Sequence, residues 1–249
     1  MAKKQMQKLA SGSAALNPHV SVDCVIFGYD GQDLKVLLIE RDPASTRGAH
    51  WALPGNLVRD DEDLDQSAQR ILNELTGLNN IYLEQLYAFG DPSRVRRDED
   101  AAWLQQMRAE PQARVITVAY FALIKLENLV LRPDSFARKS EWYPLNKIPK
   151  LAFDHNDILA KAVQTLKRRT HHTPIGFELL PRKFTLGQLQ KLYEAILGDE
   201  LDKRNFRRKM KKLNILQPLA EKQRDVAHKP AQLYRFNARI YAQLVEGII

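Results

Sequence analysis

LPGNLVRDDEDLDQSAQRILNELTGL, residues 53–78, carries the clearest structural signal in the chain. It begins with a Pro-Gly turn and an acidic loop, and it continues into a run whose apolar side chains recur every three or four residues. That spacing is typical of an amphipathic helix, here from Asp63 to Leu75, and Thr76-Gly77 supplies its end. The apolar positions of the run are Leu64, Ala68, Ile71, Leu72 and Leu75.

Strand-like patterns flank this segment on both sides. They lie at Val20–Phe27, Lys35–Glu40, Ile81–Phe89 and Val115–Leu126. The last of them is apolar almost throughout, which is typical of a strand buried on both faces. Strands mixed with a helix predict an α/β (α+β) fold, in which an α/β/α sandwich encloses a mixed sheet.

A charged segment, residues 94–114, interrupts the strands. Trp103, Leu104 and Met107 fall on one helical side of it. We interpret the segment as an excursion over the surface that acts as a lid or contacts a partner.

The charge divides the chain into two parts. Residues 1–160 contain 19 Lys and Arg against 22 Asp and Glu, whereas residues 161–249 contain 19 against 8. The strong excess of positive charge in residues 161–249 is typical of a domain that binds a polyanion. The alternative is a solubilising surface. The predicted organisation is a flexible N-terminal tail (1–17), a first domain (18–155), a connecting helix (156–172) and a second domain (173–249).

Two helices and a hairpin follow one another in the second domain. Thr185 begins the sequence TLGQ, a capping box that starts the first helix. Asp202 can cap a second helix over residues 203–213, and the apolar segments 215–219 and 233–236 then predict a hairpin. Helix, tight turn, basic helix and hairpin together describe a winged helix-turn-helix.

The second helix reads KRNFRRKMKK over residues 203–212, with seven Lys or Arg. Phe206, Met210 and Leu213 predict its buried side, with basic side chains opposite. Those like charges repel one another in the free helix, but binding to DNA phosphates, which releases counterions, makes the clustered charges favourable. Arg and Asn side chains can also recognise bases. The predicted DNA-binding residues are Thr185, Lys203, Arg204, Asn205, Arg207, Arg208 and Lys211, with Lys222 and Lys229 in the wing.

Residues 56–78 resemble the Nudix box, G-x5-E-x7-R-E-U-x-E-E-x-G-U, in which U is aliphatic. The positions that keep its register are Glu62, Arg70, Leu72, Glu74, Gly77 and Leu78. Asn56 replaces the family's glycine, and Ile71 and Leu75 replace two of its three metal-binding glutamates. Mg²⁺ requires hard oxygen ligands, so the resemblance predicts a Nudix fold with no metal site and no hydrolysis.

The two parts together resemble the Nudix-related transcriptional regulators of NAD metabolism, the NrtR family, from about Val20 to Phe236. The sequences that carry this resemblance are YLEQLYAFGDP (82–92), VITVAYFAL (115–123), LAFDHNDIL (151–159), LLPRKFTLGQLQKLYEAIL (179–197) and LDKRNFRRKMKKL (201–213). The stretch 96–111 is longer than is usual in the family.

This resemblance implies a homodimeric repressor of NAD-biosynthesis or salvage genes that binds palindromic operator DNA. Its Nudix domain would bind ADP-ribose or a related nucleotide and thereby release the DNA, with a corepressor role as the alternative. No cofactor is implied.

The same resemblance implies an effector pocket between the box helix and the sheet. The implied effector-binding residues are Arg41, Trp51, Asn56, Arg70, Glu74, Phe89, Asp154 and His155. Without Mg²⁺ a diphosphate needs positive partners, which Arg41 or Arg47 could provide. Three members have structural alternatives, because Trp51 and Phe89 could be core residues and Asp154 a helix cap. For Arg70 a salt bridge with Glu62 or Glu74 is the favoured interpretation.

Two other functions stay open at this point. One is an active hydrolase resembling an ADP-ribose pyrophosphatase, whose basic domain binds nucleic acid and whose metal ligands, such as Asp61, Glu62 or Glu84, lie outside the box triplet. The other is a pure interaction module that binds no nucleotide.

Composition excludes several classes of protein. With 44% hydrophobic and 27% charged residues, the chain is neither collagen-like nor wholly disordered. No apolar run approaches the roughly 20 residues that span a bilayer. The N-terminus lacks the apolar block of a secretory signal, and a lone Cys24 fits a reducing compartment. The sequence therefore predicts a cytoplasmic protein with no membrane partner.

Overall fold

The computed structural model describes residues 14–42, 49–126, 131, 137–172, 179–224, 229–237 and 239–240. Arg47 and most of the predicted tail lie outside these residues. Within the described part of the chain, no helix is both long and apolar enough to cross a membrane.

The first part of the chain folds into a mixed sheet with helices on both faces. Its seven described strands are β1 (Leu16–Tyr29), β2 (Leu34–Glu40), β3 (Trp51–Ala52), β4 (Gly55–Arg59), β5 (Glu84–Phe89), β6 (Ile116–Lys125) and β7 (Lys139–Pro144). Its helices are α1 (Leu64–Thr76), α2 (Asp98–Met107) and α3 (His155–His172), with a 3-10 turn at Leu145–Lys147. Five strands follow the order β3-β2-β1-β6-β5, while β4 also pairs with β1 and β7 with β2. The predicted mixed α/β sandwich is confirmed.

Strand β1 lies at the centre of this sheet. It runs parallel to β6 and antiparallel to β2 and β4. Alternate side chains serve the two faces, with Val22, Cys24 and Ile26 on the side of α1 and Val25, Phe27 and Tyr29 on the side of α3. The buried stretch of β1 therefore presents apolar side chains to both faces of the sheet. Because β1 begins at Leu16, the predicted tail extended two residues too far.

Helix α1 forms where the spacing predicted it. Asp63 and Gln66 complete a capping box at its start, and Gly77 ends it with a left-handed φ of 77° that a side chain would disfavour. The buried residues of the helix include Ala68, Ile71, Leu72 and Leu75.

The interpretation of residues 94–114 as a surface excursion was wrong. Helix α2 lies within this segment, and Trp103 and Leu104 are buried in the same apolar cluster as α1. The Trp103 ring packs edge-on against Phe153, with 5.7 Å between ring centroids. One side of the segment therefore belongs to the core of the first domain, while its other side is exposed.

The second part of the chain is a winged helix-turn-helix. It consists of β8 (Phe184–Thr185), α4 (Leu186–Leu197), α5 (Lys203–Lys212), β9 (Leu216–Lys222) and β10 (Gln232–Phe236). Strand β10 lies between β8 and β9, so the predicted hairpin has a third, very short strand that the sequence analysis missed.

One apolar cluster continues from the sheet into the winged helix. Helix α3 contributes Leu159, Ala162 and Leu166 to this cluster, and α4 contributes Leu189 and Ile196. The same cluster contains the α3 side of β1. Both parts of the chain therefore pack against the connecting helix α3.

The start of α4 provides a test of the capping geometry. The Thr185 hydroxyl accepts a hydrogen bond from the Gln188 amide at 3.1 Å, and the Gln188 side chain returns one to the Thr185 amide. We expect Thr185→Ala to lower the free energy of unfolding by about 1 kcal/mol, whereas Thr185→Ser retains the cap. Urea unfolding followed by circular dichroism measures both variants, and equal stability of Thr185→Ala and wild type would contradict this role.

Candidate functional sites

The box arginine, Arg70, is held by two glutamates. Its guanidinium donates to both oxygens of Glu62, at 2.5 and 2.7 Å, and to Glu74 at 3.0 Å. Glu74 also accepts a hydrogen bond from Arg59 at 2.9 Å. Burial alone would raise the pKa of Glu62, but the hydrogen bonds from Arg70 and from the Arg59 amide lower it to about 2. Arg70 thus forms the salt bridge that the sequence favoured.

The two aliphatic residues of the box lie in the core. Ile71 is 0% exposed and Leu75 is 1% exposed, and both pack in the apolar cluster beneath α1. Glu74, the remaining acid of the triplet, is already paired with two arginines. One carboxylate committed to guanidinium groups is a poor donor set for Mg²⁺, which requires several hard oxygens.

Arg41 is buried rather than open to a ligand. It is 1% exposed, and it donates to Asp100 at 2.7 Å and to the Ala49 carbonyl at 2.5 Å. Its guanidinium also lies 5.1 Å from the ring centroid of Trp103 and 5.0 Å from that of Phe153. Because this environment closes around the side chain, the expected contact between Arg41 and a diphosphate does not fit the structure.

Asp154 and His155 meet three other polar side chains on the α3 side of the sheet. The residues of this sheet-end cluster are Asp23, Arg94, Thr117, Asp154 and His155. Arg94 donates twice to Asp154, both at 2.8 Å, and lies 3.4 Å from Asp23. Thr117 donates to Asp23 at 2.7 Å, and His155 lies 3.4 Å from the other Asp23 oxygen. The loop that carries Arg94, strand β6 and the start of α3 thus converge on Asp23 of β1.

The partners of Asp23 set its charge. Burial alone would raise the pKa of Asp23, but His155, Arg94 and Thr117 lower it far below its usual range. Gly55 makes room for this carboxylate, because a Cβ atom there would lie only 1.9 Å from Asp23 Oδ1. The backbone amide of Leu53 donates to His155 Nδ1 at 2.9 Å, which joins the cluster to the loop before the box.

The backbone before the cluster is held in an uncommon conformation. Phe153 has a φ of 52°, a left-handed value that is rare for an aromatic residue. Its amide donates to Asp100 at 3.1 Å. The pair formed by Arg41 and Asp100 therefore fixes the turn that presents Asp154 and His155.

The other implied effector residues lie on strands that adjoin this cluster, with Phe89 paired to Thr117 and Asn56 following Gly55, the cross-strand partner of Asp23. Trp51 packs edge-on against Tyr143, with 4.7 Å between ring centroids, and forms a backbone bridge to Leu151. Phe89 packs against Tyr87 on β5 at 5.3 Å. The Asn56 side chain accepts a hydrogen bond from the Leu57 amide at 2.8 Å. The structure thus brings Asp154 and His155 into the cluster and places Asn56 and Phe89 on strands beside it.

Sequence reasoning missed Asp23, Arg94, Thr117 and Asp100. One signal was present, because Asp23 is a charged residue inside the otherwise apolar VSVDCVIF pattern of β1. Buried charges are rarely without partners, so this residue predicts a cluster but not its members.

A basic face covers the outer side of α5. Phe206 and Met210 anchor the helix, with Phe206 packed edge-on against Tyr193 at 5.4 Å between ring centroids. A shallow groove on the opposite side is lined by Asp202, Lys203, Arg204, Arg207, Arg208 and Lys211. All of these side chains are exposed, as the helical spacing predicted.

Four other predicted DNA contacts have different environments. Asn205 is exposed but accepts a hydrogen bond from Arg208 at 2.9 Å. Lys222 and Lys229 are exposed on β9 and near β10. Thr185 is buried and its hydroxyl caps α4. The prediction that its side chain contacts DNA therefore does not fit the structure.

Comparisons with known proteins agree with this arrangement. The NUDIX domain pattern matches residues 17–165, and the NrtR DNA-binding winged helix domain matches residues 176–236. The ADPR responsive transcriptional repressor NtrR of Acinetobacter baylyi is 35% identical over 229 residues, covering 90% of this chain and 84% of that protein.

Solved structures give the same result. Shewanella oneidensis NrtR complexed with a 27mer DNA matches with a TM-score of 0.66 and 27% identity, covering 90% of this chain and 95% of that one. A MutT/nudix family protein from Enterococcus faecalis matches with a TM-score of 0.67 and 25% identity, covering 94% and 93% of the two chains.

These matches define a Nudix domain joined to a winged helix-turn-helix. The chain belongs to the NrtR family of Nudix-related transcriptional regulators. The family resemblance stated from the sequence is confirmed, and so is a regulator role for the chain.

The pairing of Glu62 with Arg70 makes stability depend on pH. The pKa of Glu62 is about 2 in the folded protein against an ordinary 4.5, so the pair stabilises the fold fully above about pH 4.5. This contribution is lost as the pH falls towards 2. We expect Glu62→Gln to show a smaller decrease in the free energy of unfolding between pH 5 and pH 3 than wild type, in urea titrations at each pH. Parallel curves would contradict the pairing.

Proposed function

We propose that this chain is a DNA-binding repressor of NAD-biosynthesis or salvage genes, and that ADP-ribose or a related nucleotide bound to its Nudix domain releases the DNA. The observation that carries the proposal is the exposed basic face of α5, on a helix whose apolar side continues into the core of the Nudix sheet. The relatives support it, because one is named as an ADPR-responsive repressor and another was solved with DNA.

The basic face suits the major groove. Its five cationic side chains, Lys203, Arg204, Arg207, Arg208 and Lys211, project from an α-helix, the element that enters this groove in helix-turn-helix proteins. The acidic residue beside them, Asp202, caps the helix through the Asn205 amide at 2.7 Å. Lys222 and Lys229 on the wing then contact the backbone.

Palindromic operator DNA fits the same proposal. A homodimer with two-fold symmetry presents two such helices to two half-sites. We also propose the cytoplasm as the compartment, because the named repressor relative is bacterial and must reach chromosomal DNA.

The sheet-end cluster is the proposed effector end of the Nudix domain. It combines Arg94 with Asp154 and His155, and it lies where strand β1 meets the start of α3. Polar groups that converge beside the box loop suit a nucleotide with ribose hydroxyls and phosphates.

Effector binding without hydrolysis is also part of the proposal. Ile71 and Leu75 are packed in the core, and Glu74 is engaged by Arg59 and Arg70. These residues do not fit a Mg²⁺ ion, and without the metal the box has little with which to activate a water molecule. We therefore propose that ligand binding needs no cofactor.

Helix α3 offers a path from the effector to DNA. His155 at its first turn belongs to the sheet-end cluster, and Leu166, three turns later, belongs to the core shared with α4. A ligand that moves the start of the helix would move the winged helix with it. Two winged helices displaced in this way no longer match the spacing of two half-sites.

DNA binding is tested by a pair of substitutions on the basic face. We expect Arg204→Ala with Arg208→Ala to weaken binding of the promoter fragment adjoining the gene by about 1–3 kcal/mol per arginine that reads a base. Lys191→Ala removes an exposed charge on α4, on the side towards the first domain, and serves as the matched control. Gel-shift titrations measure all three proteins, and unchanged binding by the double variant would show that another element reads the DNA.

The effector is tested on the same complex. Saturating ADP-ribose should weaken operator binding with or without EDTA, because no metal is involved, and AMP at the same concentration serves as the control. Incubation with ADP-ribose and Mg²⁺ should release no AMP, as followed by chromatography. Robust AMP release would instead support the hydrolase alternative.

A further inference from the structure

Arg108, which follows α2 directly, has an unmet hydrogen-bonding capacity inside the protein. Its Nη1 atom is buried and has no hydrogen-bond partner. The charges of Asp23 and Arg94 act on its guanidinium, which places Arg108 near the sheet-end cluster. A buried donor without a partner costs about 1–3 kcal/mol and calls for an explanation.

The other arginines of this region are already committed. Arg94 is held by both oxygens of Asp154, and Arg70 by Glu62 and Glu74. Arg41 also has unpartnered nitrogen atoms, but it is 1% exposed and closed in by two rings and Asp100. Arg108 differs from Arg41 because the residue as a whole is partly exposed.

The carboxylates nearby do not satisfy Arg108 and do not bar an anion. Asp154 is neutralised by Arg94, while Asp23 is bonded to Thr117 and lies beside His155 and Arg94. Burial lowers the pKa of Arg108 to about 10, with Arg94 adding to the effect and Asp23 opposing it, so the side chain is still a cation at neutral pH.

We propose that Arg108 binds a phosphate group of the effector nucleotide at the sheet-end cluster. A phosphate oxygen accepts the charge-assisted hydrogen bond that Nη1 lacks in the free protein. The inference rests on the proposed function, since it names the residue that reads the diphosphate of ADP-ribose. It also gives segment 94–114 a role, because that segment carries Arg94 and Arg108 to the same place.

Arg108→Met tests this role, with Arg96→Met as the matched control. Arg96 is exposed in the same segment, so its substitution removes the same charge from outside the cluster. We expect Arg108→Met to keep or raise the melting temperature of the free protein, because it removes an unpartnered buried donor. Calorimetry should show ADP-ribose affinity reduced about 10- to 100-fold, with Arg96→Met at the wild-type value. Arg108→Lys, which keeps the charge but not the planar fork, should lie between them.

The alternative outcomes separate the two proposals. If wild type binds ADP-ribose and Arg108→Met binds it equally well, the role of Arg108 is overturned and the proposed function stands. A clear fall in the melting temperature of free Arg108→Met, or failure to fold, shows a structural role and overturns it too. If wild type binds inorganic pyrophosphate in an Arg108-dependent way but not ADP-ribose, the anion site is supported and the nucleotide effector is overturned. Binding of neither ligand by wild type overturns both.

Discussion

Burying the carboxylate of Asp23 in the middle of β1 requires partners, because an unpaired charge in a protein interior costs several kcal/mol. Those partners come from distant parts of the chain, namely Arg94, Thr117 and His155. Gly55 leaves space for the oxygens. The strand therefore acts as the fixed point to which the box loop, the 94–114 segment and the start of α3 are all attached. Removing Arg94 would take the salt-bridge partner from Asp154 and one of three partners from Asp23.

The second constraint is the position of α3 between the two domains. A helix that packs against both the sheet and α4 cannot shift without repacking both interfaces, since protein interiors are close-packed. The first turn of α3 carries His155, and Asp154 precedes it directly. The sheet-end cluster and the winged helix are thus linked through one helix, although they lie in different domains.

Local signals in the sequence predicted the elements whose causes are local. Asp63, Gly77 and Asp202 mark helix ends through contacts within a few residues, and each does so in the structure. The contacts that build the candidate site join residues far apart in the chain, such as Arg41 with Asp100 and Arg94 with Asp154. A charged segment looks exposed until its partner is known, which is why α2 was assigned to the surface. Strands β3, β4, β7 and β8 were missed because their patterns are short or polar.

The altered box helix is consistent with a protein that must be stable without metal. Three glutamates at i, i+3 and i+4 repel one another unless a cation lies between them. Ile71 and Leu75 remove that repulsion, and each buries an aliphatic side chain worth about 1.5–3 kcal/mol. Arg70 keeps Glu62 and Glu74 in place, so the loop-helix geometry survives the substitution. The box helix is thereby stable without an ion to neutralise it.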